Sequence, residues 1–138
     1  MENNWIFIGI AVFLVFDFFL VAWIFWRKRK QKGFPADQQE YIRSHWIRIL
    51  DMSQNNPNAA VLDADKLLDY ALARKGFQGT LGEKLKRAKN RFSDINGIWT
   101  AHKLRNKIAH ELSQISLTEA KNALQKFKRG LQDLGANL

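Results

Sequence analysis

The pattern of hydrophobic and polar positions divides the chain into one long apolar run and a series of amphipathic segments. The run extends from Trp5 to Trp26 and is interrupted only by the charged residue Asp17. As a helix, these 22 residues would be roughly 33 Å long, enough to cross the hydrocarbon core of a bilayer. We therefore predict that residues 1–32 form a transmembrane anchor with a basic juxtamembrane segment, in which Trp5 to Trp26 contact lipid.

Charges on the two sides of this run predict its orientation. Glu2 precedes the run, whereas five cations follow it directly: Arg27, Lys28, Arg29, Lys30 and Lys32. Positively charged flanks stay in the cytoplasm. We therefore expect a single-pass membrane protein with its N-terminus outside and its C-terminal domain in the cytoplasm. A cleaved signal peptide is disfavoured, since the first residues lack a basic segment.

Asp17 lies in the middle of the predicted span, where a carboxylate costs on the order of 3 kcal/mol. One interpretation is a polar contact between two anchors or with another membrane protein. The alternative is a protonated acid that a very apolar helix tolerates. Both interpretations stay open on the sequence.

Beyond the anchor, apolar residues recur at helical spacing in five segments. The segments begin near Asp37, Pro57, Leu81, Ser93 and Leu117. Thr80 with Glu83, and Ser116 with Glu119, have the spacing of capping boxes at two of these starts. No window alternates apolar and polar residues as a half-buried strand would. We therefore predict an all-α fold in which residues 33–138 form an antiparallel bundle of about five helices.

The composition excludes several kinds of site. The 138 residues include no cysteine, which excludes disulfides, thiolate metal sites and cysteine nucleophiles. The three histidines, His45, His102 and His110, are too scattered for a convincing metal site. We expect neither a metal nor a small-molecule cofactor.

The chain is strongly basic, with a net charge of +9. Residues 33–138 hold seventeen Lys and Arg against eleven Asp and Glu, which favours anionic partners. The third helix is expected to extend from Leu81 to Phe92. It carries the densest basic patch, Lys84, Lys86, Arg87, Lys89 and Arg91. We expect this patch to contact an RNA backbone, with binding of anionic lipid or a merely solvated helix face as the alternatives.

Three carboxylates, Asp63, Asp65 and Asp69, lie near the apolar stripe of the second helix. We expect them to form a mainly solvated acidic face, whose position suits the helix dipole. The alternative is that they approach the basic residues of the stretch 101–110 in the folded domain.

One stretch, Ala101–His110, gathers most of the side chains suited to chemistry. At 100° per residue, His102, Asn106 and His110 follow one another on one arc of a helix, with Arg105 beside His102. An imidazole can transfer protons near neutral pH, a guanidinium can hold two phosphate oxygens, and an amide can orient either group. This chemistry suits a phosphodiester. Because His102 and His110 are about 12 Å apart along a helix, a second copy of the chain would most simply complete the site.

At these residues the sequence resembles the HEPN superfamily, small all-helical domains marked by Arg, a polar residue that is often Asn, three variable residues and His. Arg105, Asn106 and His110 match that pattern position by position, and the resemblance covers about residues 37–134. It implies homodimers that bring two motifs face to face, with these three residues as the catalytic group. In many members the activity is metal-independent RNA cleavage, whereas others only bind nucleic acid or nucleotides, or act as scaffolds.

The motif, the basic charge and the anchor together lead to two hypotheses about function. The first is a membrane-anchored HEPN-like protein that acts on or binds RNA, in its catalytic form a metal-independent endoribonuclease working as a dimer. In this function Arg105, Asn106 and His110 are catalytic. The residues expected to contact RNA are Lys84, Lys86, Arg87, Lys89 and His102. The alternative is a non-catalytic, membrane-tethered interaction module whose Arg-Asn-His group is structural.

Overall fold

A computed structural model describes residues 4–29 and 33–138, and all regular structure within these ranges is helical. The α-helices are α1 (Asn4–Arg29), α2 (Ala36–Met52), α3 (Pro57–Arg74), α4 (Leu81–Arg87), α5 (Ile95–Glu111) and α6 (Leu117–Asp133). A short 3₁₀ helix, Lys89–Arg91, follows α4. The chain forms two compact units, residues 1–32 and 33–138. The predicted all-α fold, with an N-terminal apolar helix and a bundle of about five helices, is confirmed.

Helix α1 is long and apolar enough over Asn4–Ile24 to cross a membrane, with a mean hydropathy of 2.6. Its described side chains are all exposed, so no protein core accounts for their hydrophobicity. Asp17 shares this exposure and is the one ionisable side chain described in the span. The charged residues from which the orientation is predicted lie outside the part of the chain whose side chains are described, and so does Trp26. These charged residues are Glu2, Arg27, Lys28, Arg29, Lys30 and Lys32.

Helix α3 is the centre of the bundle, because it packs against α2, α4, α5 and α6. It is lined by a stripe of small and branched apolar side chains that are all buried: Ala60, Val61, Ala64, Leu67, Leu68, Ala71 and Leu72. The helix is capped at its start by Asn56, whose side chain accepts a hydrogen bond from the Ala59 N–H. Removing these apolar side chains from water is the main driving force for assembly of the bundle.

Helix α6 closes the core against α3 and α5. Phe127 and Leu131 are completely buried, as the regular spacing of apolar residues predicts. Gly130 of α6 packs against Ile98 of α5, and a Cβ atom at Gly130 would come within 2.9 Å of Ile98 Cδ1. A larger side chain at this position would therefore separate α6 from the helix that carries the motif.

Two predicted boundaries are wrong. Helix α4 ends at Arg87, and the chain tightens into the 3₁₀ turn, which keeps both Ala88 and Phe92 in the core. Helix α5 begins at Ile95 instead of near Ser93, because the Asp94 side chain accepts a hydrogen bond from the Gly97 N–H and caps the helix. Ser93 hydrogen-bonds to Asp133 at the end of α6, in a contact that the local sequence does not show.

Both predicted capping boxes are present. The Thr80 N–H donates to Glu83 Oε2 at 2.7 Å and the Ser116 N–H donates to Glu119 Oε2 at 2.8 Å, with both return bonds formed. These backbone hydrogen bonds, followed by those from the two hydroxyls, lower the pKa of Glu83 and of Glu119 below the ordinary value of 4.5. The ionised carboxylates therefore stabilise the fold above this value, and the stabilisation is lost as pH falls through the lower folded-state pKa.

We predict that replacing both capping glutamates with glutamine reduces the acid sensitivity of the bundle. Glutamine still accepts the N-terminal hydrogen bond but does not titrate. Thermal unfolding followed by circular dichroism, at pH values spanning 4.5, should show a smaller loss of melting temperature for Glu83→Gln/Glu119→Gln than for the wild type. An equal loss of melting temperature in both proteins would show that groups other than Glu83 and Glu119 cause the acid sensitivity.

Candidate functional site

Helices α3 and α5 share a polar cluster built around one buried carboxylate. Asp65 of α3 is only 4% exposed. His102 Nδ1 donates a hydrogen bond to Asp65 Oδ1 at 2.7 Å, and Arg105 Nε lies 3.2 Å from the other oxygen, Oδ2. Each carboxylate oxygen therefore has its own cationic or polar partner on α5, as a charge buried in a core requires.

Asn106 joins the two partners of Asp65 to each other. Arg105 Nη1 donates to Asn106 Oδ1 at 3.0 Å, and Asn106 Nδ2 lies 3.4 Å from His102 Nε2. Because a carboxylate only accepts hydrogen bonds, Nδ1 of His102 carries a hydrogen, and in the neutral form of the ring Nε2 therefore keeps its lone pair. Asp65 thus orients His102 with the basic nitrogen directed away from the buried carboxylate.

Arg105 is held in this cluster more by charge than by hydrogen-bond geometry. Its buried Nε makes no hydrogen bond, although Asp65 Oδ2 lies close enough for an ion pair. Nη1 is committed to Asn106, and the side chain as a whole is 28% exposed. The guanidinium therefore has one edge fixed inside the protein and part of its surface open to a ligand.

The cluster lies beside a cleft of about 460 Å³ between α3, the start of α4, and α5. His102 and Arg105 line it together with Asp65, Lys66, Asp69, Thr80, Leu81 and Gly82. This volume is typical of small-ligand sites. Among the described residues, no group of three or more His, Asp or Glu side chains is arranged to hold a metal. The chemical groups offered to a ligand here are an oriented imidazole, a guanidinium and carboxylates.

The third motif residue, His110, lies apart from this cluster. It is exposed near the end of α5 and makes no hydrogen bond or ion pair with the described part of the chain. The helix ends directly afterwards, where Leu112 adopts a left-handed backbone with φ 50°. One copy of the chain therefore brings together His102, Arg105 and Asn106 and leaves His110 facing solvent.

Of the cations expected to contact RNA, one is buried and three are exposed. Lys84 is only 6% exposed, and its Nζ pairs with Asp69 Oδ1 at 2.8 Å, so it is not on the surface where the sequence placed it. Lys86 and Lys89 are exposed. Arg87 is exposed too, although its Nη1 donates to the Gln78 carbonyl at 3.1 Å. The basic patch on the surface is consequently smaller than predicted.

The expectation of a solvated acidic face on α3 is wrong. Asp65 is buried, and Asp69 pairs with Lys84. The sequence contained an indication of this burial. At 100° per residue, Asp65 lies within 60° of the buried Val61 and Leu68, inside the apolar stripe. A carboxylate at such a position needs a cationic partner from another helix, and for Asp65 the alternative left open by the sequence, an approach to the basic motif, is the one found.

The chain was compared with models of known protein families, with curated proteins and with solved structures, and none of the three comparisons finds a match. The resemblance to the HEPN superfamily therefore rests on Arg105, Asn106 and His110 and on the helical context.

We predict that Asp65→Ala lowers the free energy of unfolding by about 3 kcal/mol, because it leaves the partners of a buried ion pair uncompensated. Asp63→Ala is the matched control on the same helix. Asp63 lies 4.0 Å from Arg48 and 3.7 Å from Lys66, which are 63% and 70% exposed. Its loss should cost less than about 1 kcal/mol. Urea unfolding of both variants measures the difference, and similar small losses would show that the cluster does not stabilise the bundle.

Proposed function

We propose that this chain is a membrane-anchored protein that binds RNA and, as a dimer, cleaves it without a metal ion. The observation that carries the proposal is the oriented His102, held by the buried Asp65 next to Arg105 in a cleft of ligand size. The basic charge of residues 33–138 supports an anionic substrate.

In this proposal His102 is the general base. Its Nε2 takes the proton from a ribose 2′-hydroxyl, whose oxygen then attacks the adjacent phosphorus. The contact between Nε2 and Asn106, at 3.4 Å, is long, so a substrate hydroxyl at an ordinary hydrogen-bond distance can replace it. The open side of Arg105 holds the phosphate oxygens, and Asp65 stabilises the imidazolium that forms, as in other acid–histidine pairs.

The departing 5′-oxygen needs a proton from a second group. His110 has a free imidazole, but it is about 12 Å along α5 from His102. We therefore assign this role to His110 of a second copy, so that each site combines His102 and Arg105 of one chain with His110 of the other. An anchor that confines both copies to one membrane raises their effective concentration and favours such a dimer.

The same anchor defines the location in this proposal. Helix α1 crosses the membrane once, and the cations that follow it keep residues 33–138 in the cytoplasm. The exposed cations Lys86, Arg87 and Lys89 attract the RNA backbone there.

The non-catalytic module is favoured by a different observation. The hydrogen bonds and ion pairs of His102, Arg105 and Asn106 described above are all made within the chain, and Asp65 fixes two of these residues from the core. The purpose of such a network is then to hold α5 against α3. In that case the substitutions below affect stability and no RNA is cleaved.

We predict that the full-length protein in nanodiscs of neutral lipid cleaves unstructured RNA in the presence of a chelator. His102→Ala should lower the cleavage rate by about 100-fold or more, which is the usual contribution of a general base. Lys103→Ala is the matched control, because Lys103 is the exposed neighbour of His102 on α5. RNA binding without cleavage by the wild type would favour the module, and full activity in His102→Ala would exclude this mechanism.

A mixing experiment tests the two-chain site. His102→Ala and His110→Ala should each be inactive alone. After subunits exchange at equal amounts, half of the dimers contain one chain of each kind, and one of their two sites is intact. About a quarter of the wild-type rate should therefore return. If the mixture stays inactive while dimers form, the two histidines do not act across the interface.

We predict that the two ends of α1 lie on opposite sides of the membrane. The chain has no cysteine, so single cysteines can be introduced by Asn3→Cys and, in the exposed turn after α2, by Asn55→Cys. A membrane-impermeant maleimide applied to intact cells should label the first variant, and label the second only after lysis. The reverse pattern would place the domain outside.

A further inference from the structure

A second pocket lies on the side of α3 that packs against α2. Its volume is about 240 Å³. It is lined by Tyr41, His45, Arg48, Ile49, Asp63, Lys66, Leu67 and Tyr70. None of these residues belongs to the HEPN-like motif, and the sequence suggested no ligand for them.

Three aromatic rings form a stack at this pocket. The ring centroids of Tyr41 and His45 are 3.8 Å apart with a 28° angle between the ring planes, and those of Tyr41 and Tyr70 are 4.4 Å apart at 32°. His45 Nδ1 donates to the Tyr41 carbonyl at 2.8 Å, one helical turn earlier. The rings are thus ordered before any ligand binds. Tyr41 lies between the other two rings, and Arg74 lies 4.9 Å from the Tyr70 ring centroid. His45 is therefore the ring that keeps a face outside these contacts. Nucleic-acid bases stack on aromatic side chains of this kind whatever their sequence.

Two exposed cations line the same pocket. Arg48 and Lys66 are 63% and 70% exposed, at 4.0 Å and 3.7 Å from Asp63. Contacts this long between exposed groups are weak, so either cation can turn to a phosphate. Asp63 is able to accept a hydrogen bond from an N–H group at the edge of a base. The pocket therefore offers partners for the base and for the phosphate of a nucleotide.

Lys66 connects this pocket to the cleft at the motif. The same side chain lines the cleft that contains His102 and Arg105. The two concave surfaces consequently adjoin each other on either side of Lys66. A strand whose phosphate contacts Lys66 can place one nucleotide against the aromatic rings and the next one beside His102.

We infer that the α2–α3 pocket binds an unpaired base of the RNA substrate, stacked on the outer face of the His45 ring, with its phosphate on Arg48 and Lys66. This inference rests on the proposed function and makes the substrate single-stranded. A base in a duplex is stacked and paired, and cannot enter the pocket without leaving its helix.

The test uses the full-length protein in nanodiscs of neutral lipid and a short fluorescent RNA without self-complementarity, free or annealed to its complement. Fluorescence anisotropy should give at least about tenfold tighter binding of the single strand. His45→Ala should weaken that binding by about tenfold, in the range measured for loss of one stacked base. His45→Phe keeps a ring and should restore most of the affinity, which also shows that stacking, and not the fold, is responsible.

A second pair of variants tests the contact between Arg48 and the phosphate. Arg48→Ala should weaken single-strand binding, whereas Arg43→Ala, at an exposed arginine of α2 outside the pocket, should have little effect. Equal binding of duplex and single strand overturns the inference, and so does wild-type affinity in both His45→Ala and Arg48→Ala; RNA binding itself would stand in either case. Failure of the wild type to bind any RNA overturns the proposed function, and this inference with it.

Discussion

The buried carboxylate of Asp65 is the constraint on which the arrangement of α3 and α5 depends. A charge in a helical core is tolerated only where partners from another element satisfy it. Here both oxygens are satisfied from α5, by His102 and Arg105. These two contacts set the rotation of α5 and its position along α3. Because α3 also packs against α2, α4 and α6, the polar cluster is fixed relative to the whole bundle.

The same pairing determines which chemistry the motif can perform. Asp65 holds one ring nitrogen of His102 and pairs with Arg105 Nε, and both side chains line the cleft. A structural role and a catalytic role are therefore compatible, since preorganised groups catalyse best when their geometry is held by a second shell of contacts. His110 has no such contacts within the described part of the chain, and for this reason the proposed mechanism draws it from a second copy.

Sequence predicted the features that depend on neighbouring residues. The apolar spacing of α3 and α6, the length of α1, and the capping boxes at Thr80 and Ser116 are all local. The missed features join distant positions. Asp65 and His102 are 37 residues apart, Lys84 and Asp69 are 15 apart, and Ser93 and Asp133 are 40 apart. In each of these contacts the two side chains belong to different elements, and only the packing of the helices brings them together.

These pairings also change how the basic charge acts. Lys84 is neutralised by Asp69, Arg105 by Asp65, and Lys126 by Asp94, whose Oδ2 lies 2.8 Å from the ammonium. Each pair removes one acid together with one base, so the excess of cations over acids in residues 33–138 is unchanged. What changes is its location. The excess is carried by exposed side chains on several helices, which suits a flexible polyanion that follows the surface better than a rigid partner that contacts α4 alone.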